Sequence, residues 1–166
     1  MMQRRSRLVS AALTLLFTAG LFAQAKPNFA GKWTQVVDPN ATAAAGGRGG
    51  RGGGFGLGMA FSATQDDKTL TVTTTGPNGD MKAAYNLDGS DSKNPITFNG
   101  TTIDRVSKVK WDGAKLVITT TTNFNGTANE STQSWSLDAT GNLIVEATMN
   151  FGGNGPTTTK STYKKG

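Results

Sequence analysis

The side chains that carry out chemistry in most enzymes are largely missing from this chain, which has no histidine and no cysteine among its 166 residues. Imidazole bases, thiolate nucleophiles and the usual zinc, copper and haem ligands are therefore excluded. The 11 carboxylates remain, but a catalytic pair needs one carboxyl group in an apolar setting and both groups facing one cleft. Most of these carboxylates lie in turn sequences, where aspartate bonds the local backbone. We expect a protein that is not an enzyme and has no cofactor.

One acidic segment offers several oxygen ligands in a single loop. It is Asp-Gly-Ser-Asp-Ser at residues 88–92, followed by Asn94. Such oxygens suit Ca²⁺, but their spacing differs from that of the twelve-residue calcium loop. We interpret the segment as a solvated turn and predict no metal site.

A hairpin centred on Asp112-Gly113 predicts which face of the sheet points inward. With these two residues as the turn, Trp111, Val109, Leu116 and Ile118 fall on one face by alternation. Because these side chains are large and apolar, that face is predicted to point into the core. The same alternation in the next hairpin predicts a further inward set, Trp135, Leu137, Leu143, Val145 and Met149.

The same register places a cation on the inner face. Counting back by twos from Trp111 reaches Ser107 and then Arg105, with Arg105 opposite Thr120. A buried guanidinium needs a carboxylate, carbonyl groups, trapped water or an acidic ligand. Arg105, Ser107 and Thr120 are therefore the candidate ligand-binding residues. The alternative is that Arg105 lies near a rim and reaches solvent, or pairs with a carboxylate of the protein itself.

The elements that position these residues are predicted to be consecutive antiparallel hairpins. Short runs rich in Val, Ile, Thr and aromatic residues alternate with Gly, Asn, Asp and Pro clusters, and no amphipathic helix follows the leader. The predicted strands are residues 31–37, 59–65, 69–75, 81–87, 96–98, 101–111, 114–122, 127–137, 143–150 and 157–165. A meander of eight to ten strands removes its exposed edges by closing. We therefore predict an all-β fold, an antiparallel meander that closes into a barrel.

Residues 1–25 are predicted to be a signal peptide. A basic start is followed by an apolar stretch from Leu8 to Phe22 and by Ala23-Gln24-Ala25, which signal peptidase accepts. We expect residues 26–166 to form one domain, periplasmic or extracellular, exported by the general secretory or the twin-arginine route and not inserted in a membrane. Three arginines leave with the leader, so the net charge falls from +6 to +3. That charge is too small to indicate a nucleic-acid partner.

The stretch from residue 38 to residue 58 departs from the strand pattern, with nine glycines among residues 46–58. This composition is typical of a flexible surface loop. Phe55 and Leu57 alternate with glycines near its end, and we predict that they form a lid over one end of the barrel.

The mature chain opens with F-x-G-x-W at residues 29–33, which resembles the calycin group of lipocalins and fatty-acid-binding proteins. The hairpin formed by residues 111–118, W-D-G-x-x-L-V-I, is similar to one in uncharacterised secreted bacterial proteins that share the G-x-W start. In lipocalins the opening tryptophan closes the bottom of the barrel beneath a basic side chain near the last strand. The resemblance implies the first role for Trp33 and the second for Lys164 or Lys165.

The resemblance implies noncovalent binding of a small or lipid-like molecule. This class includes acidic ligands, because fatty-acid-binding proteins hold a carboxylate with an inward arginine in a comparable arrangement. The alternative is a non-catalytic structural or protein-interaction module of the periplasm or cell surface. The threonine-rich hairpins suit a wall or matrix component.

Overall fold

The computed structural model describes residues 25–37, 57–76, 79–98, 100–124, 126–150 and 155–166. These residues form eleven strands and no helix, as the all-β prediction requires. The strands are β1 (Gly31–Gln35), β2 (Ala60–Gln65), β3 (Thr69–Gly76), β4 (Gly79–Asn86), β5 (Ser92–Lys93), β6 (Ile96–Phe98), β7 (Thr101–Asp112), β8 (Lys115–Phe124), β9 (Thr127–Leu137), β10 (Leu143–Asn150) and β11 (Pro156–Lys165). Only β5 was not predicted.

Two predictions concern residues that the structure leaves undescribed. Nearly all of the predicted signal peptide, residues 1–24, lies outside the described residues. The same is true of residues 38–56 of the glycine-rich stretch. The part of the chain that is described contains no helix long and apolar enough to cross a membrane.

The strands form one antiparallel sheet that nearly closes into a barrel. Its order is β4-β3-β2-β1-β11-β10-β9-β8-β7-β5, and β6 pairs with β7. β1 pairs with both β2 and β11, so the first and last strands of the chain are neighbours. The two edges of the sheet, which curve towards each other, are therefore β4 on one side and β5 with β7 on the other. The seam of the barrel therefore lies between β4 and the pair β5 and β7.

The carboxamide of Asn94 bridges this seam. Its Oδ1 accepts a hydrogen bond from the Ala84 backbone N–H at 2.8 Å, and its Nδ2 donates to the Ala84 carbonyl at 2.9 Å. The backbone N–H of Asn94 donates to the Arg105 carbonyl on β7 at 2.9 Å. A side-chain amide carries the same donor and acceptor as a peptide group. Asn94 thus takes the place of a strand residue between β4 and β7.

The two ends of the barrel carry different connections. At one end, which we call the aromatic end, lie residues 25–30 and the turns at 66–68, 113–114 and 138–142. At the opposite end, the polar end, β3 connects to β4, β8 to β9, and β10 to β11. The aromatic end contains most of the large buried side chains.

Aromatic rings in contact fill the aromatic end. Phe29 stacks on Trp111, with ring centroids 6.2 Å apart, and meets Trp135 edge-on at 5.7 Å. Phe61 lies 5.7 Å from Trp135 and 5.2 Å from Tyr163. Such tilted and edge-to-face pairs add to the stability that burial alone provides.

Phe29 reaches this core because Gln65 holds the chain that precedes β1. The Gln65 side chain accepts a hydrogen bond from the Phe29 N–H at 2.9 Å and donates to the Pro27 carbonyl at 3.2 Å. The Phe29 N–H and the Pro27 carbonyl are thereby paired without a strand partner. The sequence patterns did not predict that this segment enters the core.

The predicted inward faces are largely confirmed, with three corrections. Trp135, Leu143 and Val145 are buried, as are Val109, Leu116 and Ile118. Leu137, however, is 36% exposed because it ends β9 beside the 138–142 turn. Met149 and Trp111 are only partly buried.

The predicted register of the β7–β8 hairpin is wrong by two residues. The turn residues are Gly113 and Ala114, Asp112 pairs with Lys115, and Trp111 pairs with Leu116. This register puts Trp111, Leu116 and Trp135 in one cross-strand row of the core. Packing of these large side chains therefore outweighs the local preference for an Asp-Gly turn. The faces stay correct because the partner shifts by two residues.

The hydrogen bonds of Asp138, in the turn between β9 and β10, lead us to expect that the protein loses stability in acid. Asp138 accepts hydrogen bonds from the Thr140 hydroxyl at 2.7 Å and from the backbone N–H groups of Thr140 and Asn142 at 2.8 and 2.9 Å. These bonds, first that of the Thr140 hydroxyl, lower the pKa of Asp138 from 3.8 to about 2. Because the folded pKa lies below the unfolded one, the stabilisation is complete above about pH 4 and is lost as the pH falls through about 2.

We expect the urea midpoint to fall between pH 4 and pH 2, and to fall less in Asp138→Asn, which cannot titrate at this position. An equal fall in both proteins would contradict this assignment.

Candidate ligand-binding site

Arg105 lies on the inner face of β7, as predicted, but opposite a different residue. Its cross-strand partner on β8 is Thr122, and Thr120 pairs instead with Ser107. The prediction that Arg105 lies opposite Thr120 is therefore wrong, because of the same two-residue shift of register. The side chain of Arg105 is half-buried.

The three predicted site residues are neighbours on two adjacent strands. Ser107 and Thr120 are 1% and 6% exposed, and their hydroxyl oxygens lie 2.8 Å apart in a hydrogen bond. One hydroxyl donates in this bond, so the hydrogen of the other remains to be donated elsewhere. The structure thus brings a cation and a buried hydroxyl pair to the same part of the inner wall.

Thr122 is a site residue that the sequence analysis missed. It is 5% exposed, and its Oγ1 has no hydrogen-bond partner. It pairs with Arg105 across β7 and β8, and with Asn129 across β8 and β9. The signal was present in the sequence, since alternation from Ile118 through Thr120 reaches Thr122, but the wrong register placed it away from Arg105.

Tyr85, on β4, is the second residue that sequence reasoning missed. It is buried, and burial raises the pKa of its phenol, while the positive charge of Arg105 acts in the opposite direction. Burial also lowers the pKa of Arg105, and the interaction with Tyr85 opposes that shift. The two side chains therefore act on each other across the seam, where β4 and β7 share no strand ladder.

At the aromatic end, the cation over Trp33 is Lys165. Its Nζ lies 5.7 Å from the centroid of the Trp33 ring, and the Trp33 indole N–H donates to the Phe29 carbonyl at 2.9 Å. Lys164, the other lysine for which the resemblance implies this role, pairs with Thr34 and is exposed. Alternation on β11 explains the difference, because Tyr163 is buried and Lys165 shares its face.

Of the two residues predicted to form a lid, Leu57 is among the described residues. Phe55 lies outside the described residues. Leu57 is 8% exposed and belongs to the hydrophobic core. The adjacent Gly58 carbonyl accepts a hydrogen bond from the Tyr163 hydroxyl at 3.1 Å, which ties the end of the glycine-rich stretch to β11. Leu57 is therefore a packed residue of the barrel interior.

A concavity lies elsewhere on the surface. It is a depression of about 360 Å³ lined by Thr64, Gln65, Asp66, Thr69 and Thr71. Thr64 and Thr71 pair on the face opposite the buried Ala63 and Val72. This depression is therefore on the outside of the barrel and separate from Arg105.

The oxygen-rich segment at residues 88–94 uses its side chains within the protein. The Asp88 carboxylate accepts hydrogen bonds from the Ser90 N–H and hydroxyl, which lower the pKa of Asp88, the hydroxyl most strongly. The Asn94 amide is bound to Ala84. Among the described residues, no three Asp or Glu side chains are grouped so as to hold a metal ion.

Comparison of the chain with models of known protein families and with curated proteins finds no match. The site must therefore be interpreted from its own geometry.

Proposed function

We propose that this protein binds a small or lipid-like acidic molecule noncovalently, inside the barrel at Arg105. The observation that carries the proposal is the hydroxyl of Thr122, which is buried without a hydrogen-bond partner directly across from Arg105. A buried hydroxyl without a partner destabilises the folded state. A carboxylate at this point accepts hydrogen bonds from both the guanidinium and the hydroxyl.

The lipocalin resemblance supports the same proposal. A nearly closed antiparallel barrel is compatible with a lipocalin-like fold. Trp33 lies beneath a lysine of the last strand at the aromatic end, which is the arrangement that the resemblance implies for the bottom of the barrel. We propose a lipocalin-like binding protein, with the ligand entering from the polar end.

We propose binding without catalysis. Asp66, Asp88 and Asp138 accept hydrogen bonds from neighbours in their own turns, and those bonds lower the pKa of each carboxyl group. Such carboxyl groups are ionised at neutral pH and are poorly suited to donate a proton. The described neighbours of Arg105 on the inner wall include Ser107, Thr120 and Thr122, whose hydroxyl groups are not general bases.

We also propose export, with cleavage after Ala25. Lys26 would then be the first residue of the mature protein, and its Nζ lies 5.2 Å from the centroid of the Trp111 ring. A cation at this distance over an indole face is attracted to it. The folded domain therefore makes contacts from the first residue after the proposed cleavage site.

Native mass spectrometry tests the binding proposal. The protein is mixed with a panel of small carboxylic acids, both acyl and hydroxylated, and with the neutral alcohol that matches each acid. We expect at least one acid to bind, its alcohol not to bind, and Arg105→Met to lose the complex while unfolding at the same or a higher urea concentration.

Lys110→Met is the matched control, because it removes a lysine from the outer, exposed face of the same strand. Acid binding should survive in this variant. The proposal fails if no acid binds, or if Arg105→Met binds the acids as well as the parent protein does.

A further inference from the structure

A line of hydroxyl groups crosses the inner face of the barrel beside Arg105. In cross-strand register, Ser107 pairs with Thr120, Thr120 with Ser131, Ser131 with Met149 and Met149 with Thr157. We call the four hydroxyl residues of this line, Ser107, Thr120, Ser131 and Thr157, the hydroxyl row. Met149 is the single apolar residue of this line.

The hydroxyl row runs from a buried position to solvent. Ser107 and Thr120 are buried, Ser131 is partly buried, and Thr157 is exposed although alternation puts it on the same face as the buried Tyr163. Strands in a barrel tilt against its axis, so a row perpendicular to the strands climbs along that axis. The row therefore leads from the interior near Arg105 up towards the polar end.

Apolar side chains occupy the interior beyond the Ser107–Thr120 pair, which lies next to Arg105 on the side of the aromatic end. Val109 and Ile118 form the pair after it, and beyond them Leu116 and Trp135 have no exposed surface. Phe29 closes this end with its ring against Trp135. An acyl chain bound with its acid group at Arg105 and directed across β8 and β9 would lie along the hydroxyl row.

An acyl chain in that position is chemically mismatched. The Ser107–Thr120 pair keeps one O–H to donate, and Thr122 has no partner at all. Covering these groups with methylenes would leave buried donors unsatisfied, which costs free energy. Hydroxyl groups of a ligand both accept and donate, so they satisfy such a wall.

We propose that the ligand is a small hydroxylated carboxylic acid of the sugar-acid class, either free or at the end of an oligosaccharide. Its carboxylate binds Arg105 and Thr122, and its hydroxyl groups lie along the hydroxyl row. This inference rests on the proposed function and narrows it from acids in general to hydroxylated acids.

Calorimetric titration with three probes tests the ligand class. Glucuronate has the charge and the hydroxyl groups, laurate has only the charge, and glucose has only the hydroxyl groups. We expect glucuronate to bind and the other two not to bind. A disaccharide that ends in glucuronate distinguishes the two sources. If it binds more tightly than glucuronate does, the site is assigned to oligosaccharide ends. If it binds more weakly, the site is assigned to free acids.

Thr122→Val separates a binding role from a structural one. Valine has nearly the same shape but no hydroxyl, and Thr122 makes no hydrogen bond that folding would lose. We expect glucuronate binding to weaken about 10- to 100-fold, as for a lost bond to a charged group, while the urea midpoint stays unchanged or rises. Val117→Thr, on the outer face of the same strand, is the control and should bind normally.

The possible outcomes separate the two proposals. Binding of laurate but not glucuronate, in a way that requires Arg105, overturns the sugar-acid inference and leaves the proposed function standing. Failure of every acid to bind overturns both. Unweakened glucuronate binding in Thr122→Val overturns the placement of the carboxylate.

Discussion

Trp135→Ala should lower the free energy of unfolding by about 3–5 kcal/mol, the usual loss for truncating a fully buried aromatic side chain. Trp135 has no exposed surface, and its ring lies 5.7 Å from the rings of both Phe29 and Phe61. Its indole N–H donates to the Gln133 side chain at 3.0 Å. Because domains of this size have roughly 5–15 kcal/mol of stability in total, this single change removes a large share.

Urea denaturation followed by circular dichroism measures this loss. Trp111→Ala is the matched control, since Trp111 is on the same cross-strand row but is only partly buried. We expect a smaller loss there, because part of its surface is already in water. A loss at Trp111 that equals or exceeds the loss at Trp135 would show that the centre of the core is misplaced.

Gly31→Ala should destabilise the barrel through its backbone and through Lys165. Gly31 has φ of +149°, and a β-carbon at this position would lie 2.5 Å from Cε of Lys165. An L residue held in such a sparsely populated conformation costs about 1–3 kcal/mol. The added methyl group also displaces the lysine stem that crosses Gly31 to reach the Trp33 ring.

A double-mutant cycle separates these two effects. Lys165→Ala removes the stem and its attraction to Trp33, which is worth about 0.5–1 kcal/mol or more. We expect the double variant to lose less stability than the sum of the single variants, because the clash is then absent and only backbone strain remains. Losses that add to within about 0.5 kcal/mol would show that Lys165 does not constrain Gly31.

Alternation within each strand was enough to predict most of the inner wall. Leu116 and Ile118 are buried because large apolar side chains at every second position mark one face of a strand. A shift of two residues in the β7–β8 partner left those faces intact, since the side-chain period of a strand is two. The strands were found because glycine, asparagine and aspartate interrupt them at the turns, as at Gly100 and Gly126, which have positive φ.

The composition of the candidate site was predictable in part. Arg105, Ser107 and Thr120 lie on one face of a hairpin, so their proximity follows from local sequence. Thr122 needed the correct register, which packing of Trp111 beside Leu116 decides. Tyr85 needed more than that, because it approaches Arg105 only when β4 and β7 meet at the seam.

The sequence by itself determined an all-β meander, the inward faces of its hairpins and the presence of a cation on one of them. Tertiary structure alone decided how the barrel closes, that Phe29 fills its aromatic end, and that Arg105 has Thr122 and Tyr85 as neighbours. The physical reason is range. Alternation and turn residues act between neighbours in the chain, whereas closure requires β1 to pair with β11 and Asn94 to bond the Ala84 backbone across the seam. Phe29 is held in the same way by Gln65, which bonds the backbone of a segment far away in the chain. Such contacts leave no periodic pattern in the sequence.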